Sequence, residues 1–472
     1  MKREEDVARA REIFGDQVNI TTEGQRHLGA SLGSSVFKRE YCTEKVNSWS
    51  EQLKILADIA KTQPQAAYAA FTKGFLSKFT YFLRTIEGFG DYTDGIQEII
   101  SHILVPTFFG NEAPFELHHL NLFSLPTSLG GLGIPFLKDE ATQQYAASLS
   151  LTSPHVESIV AQDVELRETN CNMKTQNQLR SQLMSAKAER LKVKAVAVYE
   201  ALPPDSKRFM KQSQDKGASS WVNVIPLEDE GFNVSKEEFF DSLRIRYNLP
   251  LPLLPVTCVC GQPNNLTHAL QCQKGGFVNR RHDNIRDFLV CLLKEVCISV
   301  QAEPHLTNLS GEELFYDTAI TGNDARLDIK ARGFWRRGQD AWFDVRVTHV
   351  NAVSQRDLPT AAIFHKHQQE KKRSYNQRCM EVENGTFTPL VFGTNGGVGS
   401  ECSMFLATLA EKLSVVRSED VNLTMEWLRA KLSFEVLRSA LLCVRGSKKA
   451  WYKKDEVKIS QDFGLSVVEA GL

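Results

Sequence analysis

No stretch of about 18 consecutive apolar residues, the least that crosses a bilayer as a helix, occurs among the 472 residues, and no membrane partner is expected. The N-terminus, MKREEDVARAREIFG, is charged where a secretory leader would be apolar, so no signal peptide is expected either. Neither sign of charge dominates: 56 Lys and Arg face 57 Asp and Glu, so the net charge by itself points to no partner. Internal repeats and low-complexity tracts are also missing. The ten cysteines are scattered rather than arranged as a disulfide scaffold, which fits a reducing compartment, nuclear or cytoplasmic. What is present, 42% hydrophobic and 24% charged residues, is the composition of a folded chain. Its length exceeds one ordinary core, and two or three domains are expected.

Charge is uneven locally. Arg326–Arg378 holds twelve Lys and Arg against five Asp and Glu, a basic segment suited to a polyanion, though equally an ordinary solvated face. Within it, ARLDIKARGFWRRGQDAWFDVRVTHV (Ala325–Val350) reads as two strands joined by an Arg/Gly turn. Leu327, Ile329 and Ala331 alternate with Asp328 and Lys330; Phe343, Val345 and Val347 alternate with Asp344, Arg346 and Thr348. Side chains change face at each strand residue, so one face packs on a core and the other gathers charge. Asp328 and Asp344 facing the same way suit a hard divalent cation such as Mg2+, which takes oxygen ligands. Such an ion activates water and stabilises charge on a phosphodiester. A surface hairpin with scattered charges is the alternative.

Along the rest of the chain, residues 18–35 read as a strand and a Gly-punctuated turn. Val46, Trp49, Leu53, Leu56 and Ala60 mark one face of a helix, and further helices are expected over 65–86, 94–106 and 139–200. LPTSLGGLGIP (Leu125–Pro135) is expected as a compact loop. Proline-rich LPLPLLPV (Leu249–Val256) is taken as the clearest domain boundary. After it come helix Asn284–Glu295, strand Ile298–Leu306, the aspartate hairpin, helix Phe364–Glu383, strand Thr388–Gly399 and two more helices. That succession predicts a mixed sheet flanked by helices.

Cys258, Cys260, His268 and Cys272 follow the pattern C-x-C-x7-H-x3-C. Three thiolates and an imidazole form a tetrahedral set for structural Zn2+. Few apolar residues lie here, so the metal would supply folding energy. The C-x-C gap is tighter than usual and needs a compact turn, to which Gly261 contributes. Incidental cysteines near a surface histidine are the other reading.

The stretch CVCGQPNNLTHALQCQKGGFVNRRHDNIRD, beginning at Cys258, resembles the CCHC knuckle and adjoining Arg-His-Asp segment of certain non-LTR retrotransposon polyproteins. The resemblance continues through AEPHL (Ala302–Leu306), ARLDI, FDVRVTH, QEKKRSY (Gln369–Tyr375) and TPLVFGTNGGVG (Thr388–Gly399). TTEGQRHLGASLG and LPTSLGGLGIP resemble the region after the polymerase palm in the same polyproteins. The chain has no Asp-Asp dipeptide to hold a palm's two metals, so it is expected to begin after the palm and not to polymerise DNA unaided. The resemblance implies a multidomain protein, a mostly α thumb-like region followed by an α/β restriction-endonuclease-like domain with a mixed central sheet. Its implied parts are a thumb-like remnant over 1–140, a helical linker region over 141–256, a zinc knuckle over 257–282, a nuclease over 283–446 and a tail over 447–472.

That family's nuclease is of the PD-(D/E)XK kind, and the resemblance implies Asp328 and Asp344 as ligands of Mg2+ or Mn2+, with Glu303 a further carboxylate. Leu327 replaces the proline of the motif, and Arg346 stands where its lysine would be. Arginine stays protonated and cannot serve as a base. The resemblance places the lysine role on the following helix, at Lys371, where Phe364, His367 and Lys371 share a face. Arg280, Arg281 and Arg286 are expected to grip nucleic acid through phosphates, and His282 either joins them on DNA, organises the helix start or does neither. The implied activity is nicking of DNA to leave a 3′-hydroxyl that primes reverse transcription, with DNA and the element's RNA as partners. The rival is an inactive fragment that binds nucleic acid and cuts nothing.

Overall fold

The computed structural model describes residues 4–15, 18, 20–162 and 173–446, which form two compact units. One runs to Pro126 and includes Gly131–Leu202; the other comprises Thr127–Gly130 and the chain from Pro203 onward. The expected tail over 447–472 lies outside the described residues. Among the described residues no helix is long and apolar enough to cross a membrane.

The first unit is mostly helical. A small antiparallel hairpin, β1 (Gly24–His27) and β2 (Ala30–Gly33), replaces the single strand read from the sequence. Helix α1 (Ser35–Ala60) follows, with Ser34 Oγ capping it by accepting from Phe37 N at 3.2 Å. Val46, Trp49, Leu53, Leu56 and Ala60 lie on its buried face, as their spacing predicts. Trp49 packs edge-on against Phe82, ring centroids 4.7 Å apart, and Phe82 meets Phe89 at 5.2 Å. Two long helices, α2 (Leu137–Val160) and α3 (Met173–Ala201), end the unit. In the loop after Leu125, a Cβ on Gly131 would fall 1.9 Å from the Leu125 carbonyl oxygen, so only glycine fits there.

The second unit is built on a four-stranded sheet in the order β3 (Ser299–Ala302), β4 (Ile329–Arg332), β5 (Asp340–Thr348), β6 (Thr386–Gly393). The first two pairings are antiparallel and β5–β6 is parallel, so the sheet is mixed. A parallel pair needs a crossover, and α6 (Thr360–Glu381) supplies it. Helices α4 (Lys236–Arg246) and α5 (Phe277–Val296) are among those that precede the sheet; α7 (Ser400–Arg417) and α8 (Val421–Arg445) follow it. On one face Ile329, Ala331, Phe343, Val345, Leu390 and Phe392 pack with Leu289 and Leu293 of α5 and Phe405 and Leu409 of α7. A side chain such as Phe343, fully buried here, contributes about 1.5–3 kcal/mol relative to exposure.

The opposite face is not left to solvent. Crossover helix α6 covers it, burying Trp342, Phe387 and Cys379 together with Leu306 and Leu327. Leu327 therefore sits in the other core from Ile329, which breaks the expected alternation: the chain bends at Asp328 and β4 begins at Ile329. Two expected boundaries also shift. Helix α5 runs unbroken from Phe277, so a knuckle ending at 282 would cut a continuous helix. Leu249–Val256 ends a helix without ending a unit, because 203–248 is already committed to the sheet side. Asp241 takes both guanidinium arms of Arg445 at 2.5 and 2.7 Å, and Phe232 stacks on Phe434. Arg208 donates to Asn351 Oδ1 at 2.8 Å and to the Val350 carbonyl at 2.6 Å.

Candidate metal centres

The thiol cluster is assembled almost entirely by local structure. The Cys258 N–H donates to the Gln262 carbonyl at 2.9 Å and the Gly261 N–H to the Cys258 carbonyl at 2.8 Å. Gly261 has φ +86°, a left-handed conformation that suits glycine, and the turn it closes presents Cys258 and Cys260 together. His268 and Cys272 come from the next helical turn: Asn265 Oδ1 accepts from His268 N at 2.9 Å, and the Cys272 N–H bonds the His268 carbonyl at 2.9 Å. The four ligand atoms lie within 4.8 Å of one another.

Two separations test the fit to zinc. A tetrahedral ion with bonds of about 2.3 Å to sulfur and about 2.0 Å to nitrogen holds sulfurs about 3.8 Å apart and sulfur about 3.5 Å from nitrogen. Cys258 Sγ lies 3.7 Å from Cys272 Sγ, and Cys260 Sγ 3.3 Å from His268 Nε2. Burial pushes the Cys258 thiol up, but hydrogen bonds from the Cys260 backbone, His268, Cys260 and Cys272 outweigh it and bring it down to about 6. A thiolate near neutral pH is what a metal ligand requires. The Cys3His cluster can hold zinc.

The carboxylate site draws on residues far apart in sequence. Ile329 pairs with Phe343, the last pair of that ladder, and Asp328, at the bend just before it, brings its carboxylate to the backbone of Val345, the neighbour of Asp344. Asp344, 4% exposed, is the more buried. From α6, Lys371 Nζ reaches to 2.7 Å from Asp344 Oδ2, an ion pair without good hydrogen-bond alignment, since that oxygen has no hydrogen-bond partner. Burial pushes the Asp344 carboxyl up to about 6; Lys371 and His282 oppose the rise and Asp328 adds to it.

Asp328 Oδ2 accepts from the Val345 N–H at 2.6 Å and lies 3.1 Å from His282 Nε2. His282, on α5, also places Nε2 3.1 Å from the Val345 carbonyl and Nδ1 3.2 Å from Asp283 Oδ1. The hydrogen bond to Asp328 is the main cause raising His282 to about 9; burial opposes it and Asp283 assists. At neutral pH it is an imidazolium that donates from both nitrogens. The two aspartates thus each face a cation from the chain itself, Lys371 for one and His282 for the other.

The remaining expected residues are distributed differently. Arg346 pairs with Glu370 Oε2 at 3.2 Å rather than with either aspartate. Glu303 N–H bonds the Asp328 carbonyl at 2.9 Å, but its carboxylate is taken by Arg286 and, at 3.7 Å, by Arg326. Of the four residues expected to grip nucleic acid, Arg280 alone is exposed. Arg281 is 3% exposed and bonds the Leu270 carbonyl, so it cannot reach a phosphate. Arg286 is held by Asp283, Asp287 and Glu303, its charge already matched. His282 faces Asp328 instead of solvent.

Sequence reasoning missed two neighbours. Tyr375 lies close enough to both aspartates for their charges to help push its phenol up to about 12, after burial, and Lys371 sits 5.6 Å over its ring. The i, i+4 spacing of Lys371 and Tyr375 on one helix face was the available signal. Glu370, which bridges Arg346 and His367, had none beyond its place in a charged helix.

At the aspartates, the Lys371 ammonium lies against the buried Asp344 Oδ2, and the Asp328 carboxylate sits on the adjacent Val345 backbone. Among the described residues, however, the thiol cluster is the one place where three or more His, Cys, Asp or Glu donors converge tightly. Fold and sites together define an α-rich unit and an α/β unit with a Cys3His cluster that can hold zinc. Compared with family models and with curated proteins, the chain matches none.

Proposed function

We propose that this chain is a metal-dependent DNA endonuclease of retrotransposon origin, with a PD-(D/E)XK-like nuclease as its α/β unit. The observation that carries the reading is the approach of Lys371 Nζ to 2.7 Å from Asp344 Oδ2, with Asp328, at the bend before β4, accepting from the adjacent Val345 N–H at 2.6 Å. Two carboxylates and an amine from these elements are the minimum set for that chemistry, and they match the motifs on which the resemblance rests. Asp328 and Asp344 would hold Mg2+ or Mn2+, which supplies water activation and charge stabilisation at the phosphodiester. Lys371 balances negative charge developing on the phosphate oxygens, and His282 fixes the orientation of Asp328. Water adds to phosphorus, the P–O3′ bond breaks, and the departing O3′ takes up a proton, leaving a 3′-hydroxyl and a 5′-phosphate. A pocket of about 60 Å³ beside Phe209, Trp221 and His349 includes neither aspartate in its wall.

The test is nicking of supercoiled plasmid with magnesium. The reading expects relaxed circles whose nicks a DNA polymerase extends, and no product from Asp344→Asn. Equal, metal-independent DNA binding by both proteins with no nicking would leave the binding-fragment reading instead.

A further inference from the structure

Two consecutive residues at the start of α5 reach to the two metal centres. Arg281 donates to the Leu270 carbonyl at 3.0 Å, and Leu270 lies between the ligands His268 and Cys272. His282, the next residue, holds Asp328 at 3.1 Å. Neighbours on a helix diverge by about 100°, so one helical turn grips the knuckle with one side chain and the carboxylate site with the next.

Arg281 is unusual in its setting. It is 3% exposed, its other polar contact is the Cys443 thiol at 3.8 Å, and its Nε has no hydrogen-bond partner. A guanidinium buried without a carboxylate stays only where the geometry around it is firmly set. A second tie runs from the strand that carries Asp344. His349, just beyond β5 and 6% exposed, sets Nε2 3.4 Å from Thr267 Oγ1, beside the ligand His268, and Nδ1 2.9 Å from Thr394 Oγ1. The knuckle is therefore tied to the helix that holds Asp328 through its Leu270 carbonyl, and to the residue just past the strand that carries Asp344 through the Thr267 side chain.

We infer that Arg281 and His282 are positioning residues through which zinc in the thiol cluster sets the divalent-cation affinity of Asp328 and Asp344. The inference rests on the reading of those aspartates as a metal site. Zinc fixes the backbone between His268 and Cys272; the Leu270 carbonyl fixes Arg281; Arg281 fixes the first turn of α5; and His282 delivers Asp328 in one orientation. No zinc ligand touches the second ion, so the coupling is mechanical.

The experiment measures Mn2+ binding to the full-length, zinc-loaded protein by electron paramagnetic resonance, without DNA. Wild type should show a site that Asp344→Asn removes. Arg281→Met should keep its zinc by elemental analysis yet bind Mn2+ about tenfold more weakly or worse, the range seen when groups behind metal ligands are changed. Arg281→Lys, which can still donate to the Leu270 carbonyl, should recover part of that loss. Cys260→Ser should lose zinc and weaken Mn2+ to the same degree, and His282→Gln should weaken it with zinc in place. Should Arg281→Met lose its helical circular dichroism, Arg281→Lys and Cys260→Ser decide the matter. Wild-type Mn2+ affinity in zinc-loaded Arg281→Met, or in folded Cys260→Ser, overturns the coupling and leaves the metal site standing. Absence of any Asp344-dependent Mn2+ in wild type overturns the metal site itself, and the coupling with it.

Discussion

The thiol cluster and the carboxylate pair, both in the second unit, are built on opposite plans. The four thiol-cluster ligands lie between Cys258 and Cys272, and local turns bring their atoms within 4.8 Å. Asp328, Asp344, Lys371 and His282 come from a bend, a strand and two helices, and only the folded sheet brings them together. Their charge logic differs too. The thiol cluster gathers three thiols and an imidazole with no Lys or Arg among them, a set that an ion can complete. The carboxylates already have Lys371 and His282 against them, so that face is neutralised before any metal arrives. A locally encoded site depends on its metal for order, whereas a globally encoded one depends on the fold.

The largest effect that could break this contrast is loss of zinc. Structural zinc in small knuckles is worth about 10–16 kcal/mol of apparent binding energy, more than the burial of Ala269 and Leu270 against α8 supplies. Cys258→Ser should take zinc from about one per chain to near none and open the Cys258–Cys272 segment to rapid hydrogen exchange. The sheet strands should stay protected. Equal protection with and without zinc would mean that the local plan does not need its ion.

The carboxylate site should respond in activity more than in order. Lys371→Ala should lower plasmid nicking by about 100-fold, the scale of losing one charge-stabilising donor, because no other amine approaches Asp344 as closely among the described contacts. Arg346→Ala should lower it far less, since Glu370 already neutralises that guanidinium. The reverse ranking would return the charge role to the strand arginine.

A subtler test reads the internal cations through pH. Burial holds Asp344 up at about 6 against an ordinary 3.8, so between those values the unfolded chain releases a proton that the folded one keeps. Stability therefore falls as pH rises through that window and levels off above it. Asp328 holds His282 up at about 9 against 6.5, so its contribution is complete below pH 6.5 and is lost as pH rises through 9. Each pKa unit corresponds to about 1.4 kcal/mol, so His282 supplies at most about 3 kcal/mol, less once solvent screens the partly exposed pair. Both windows slope the same way. The melting temperature of metal-free protein should decline with rising pH, and His282→Gln should flatten the upper part alone.

How much of this could be read from the chain follows the same division. The C-x-C-x7-H-x3-C spacing was enough to nominate all four thiol-cluster ligands, because local geometry follows from local sequence. Period-2 alternation placed Asp344 on the charged face of its strand, and the order of helices and strands gave a mixed sheet with a crossover. Alternation failed at Leu327, where a bend moves one apolar side chain to the opposite core, a tertiary event with no local signal. It failed again at Arg281 and Arg286: a run of basic residues reads as a nucleic-acid grip, but which face of a helix is buried depends on partners distant in sequence, here Leu270 and Glu303. The Leu249–Val256 prolines misled for a related reason, since proline stops a helix without saying whether the flanking pieces share a core.

Arg280 tests the smallest part of the contrast. Of the four residues once expected to bind phosphate it is the exposed one, adjacent to buried Arg281 on the same helix. An exposed guanidinium on one phosphate adds affinity through counterion release and carries no sequence information. Arg280→Ala should therefore weaken DNA binding uniformly across sequences and reduce the slope of log affinity against log salt by about one. Zinc content, Mn2+ affinity and melting temperature should not change, because Arg280 bonds to neither metal centre. Arg281→Met should do the opposite, leaving the salt slope and the zinc content intact while weakening Mn2+ binding. If instead Arg281→Met lowers the salt slope and Arg280→Ala does not, the α5 start turns its other face to nucleic acid. The linkage between the two metal centres would then lose its first member.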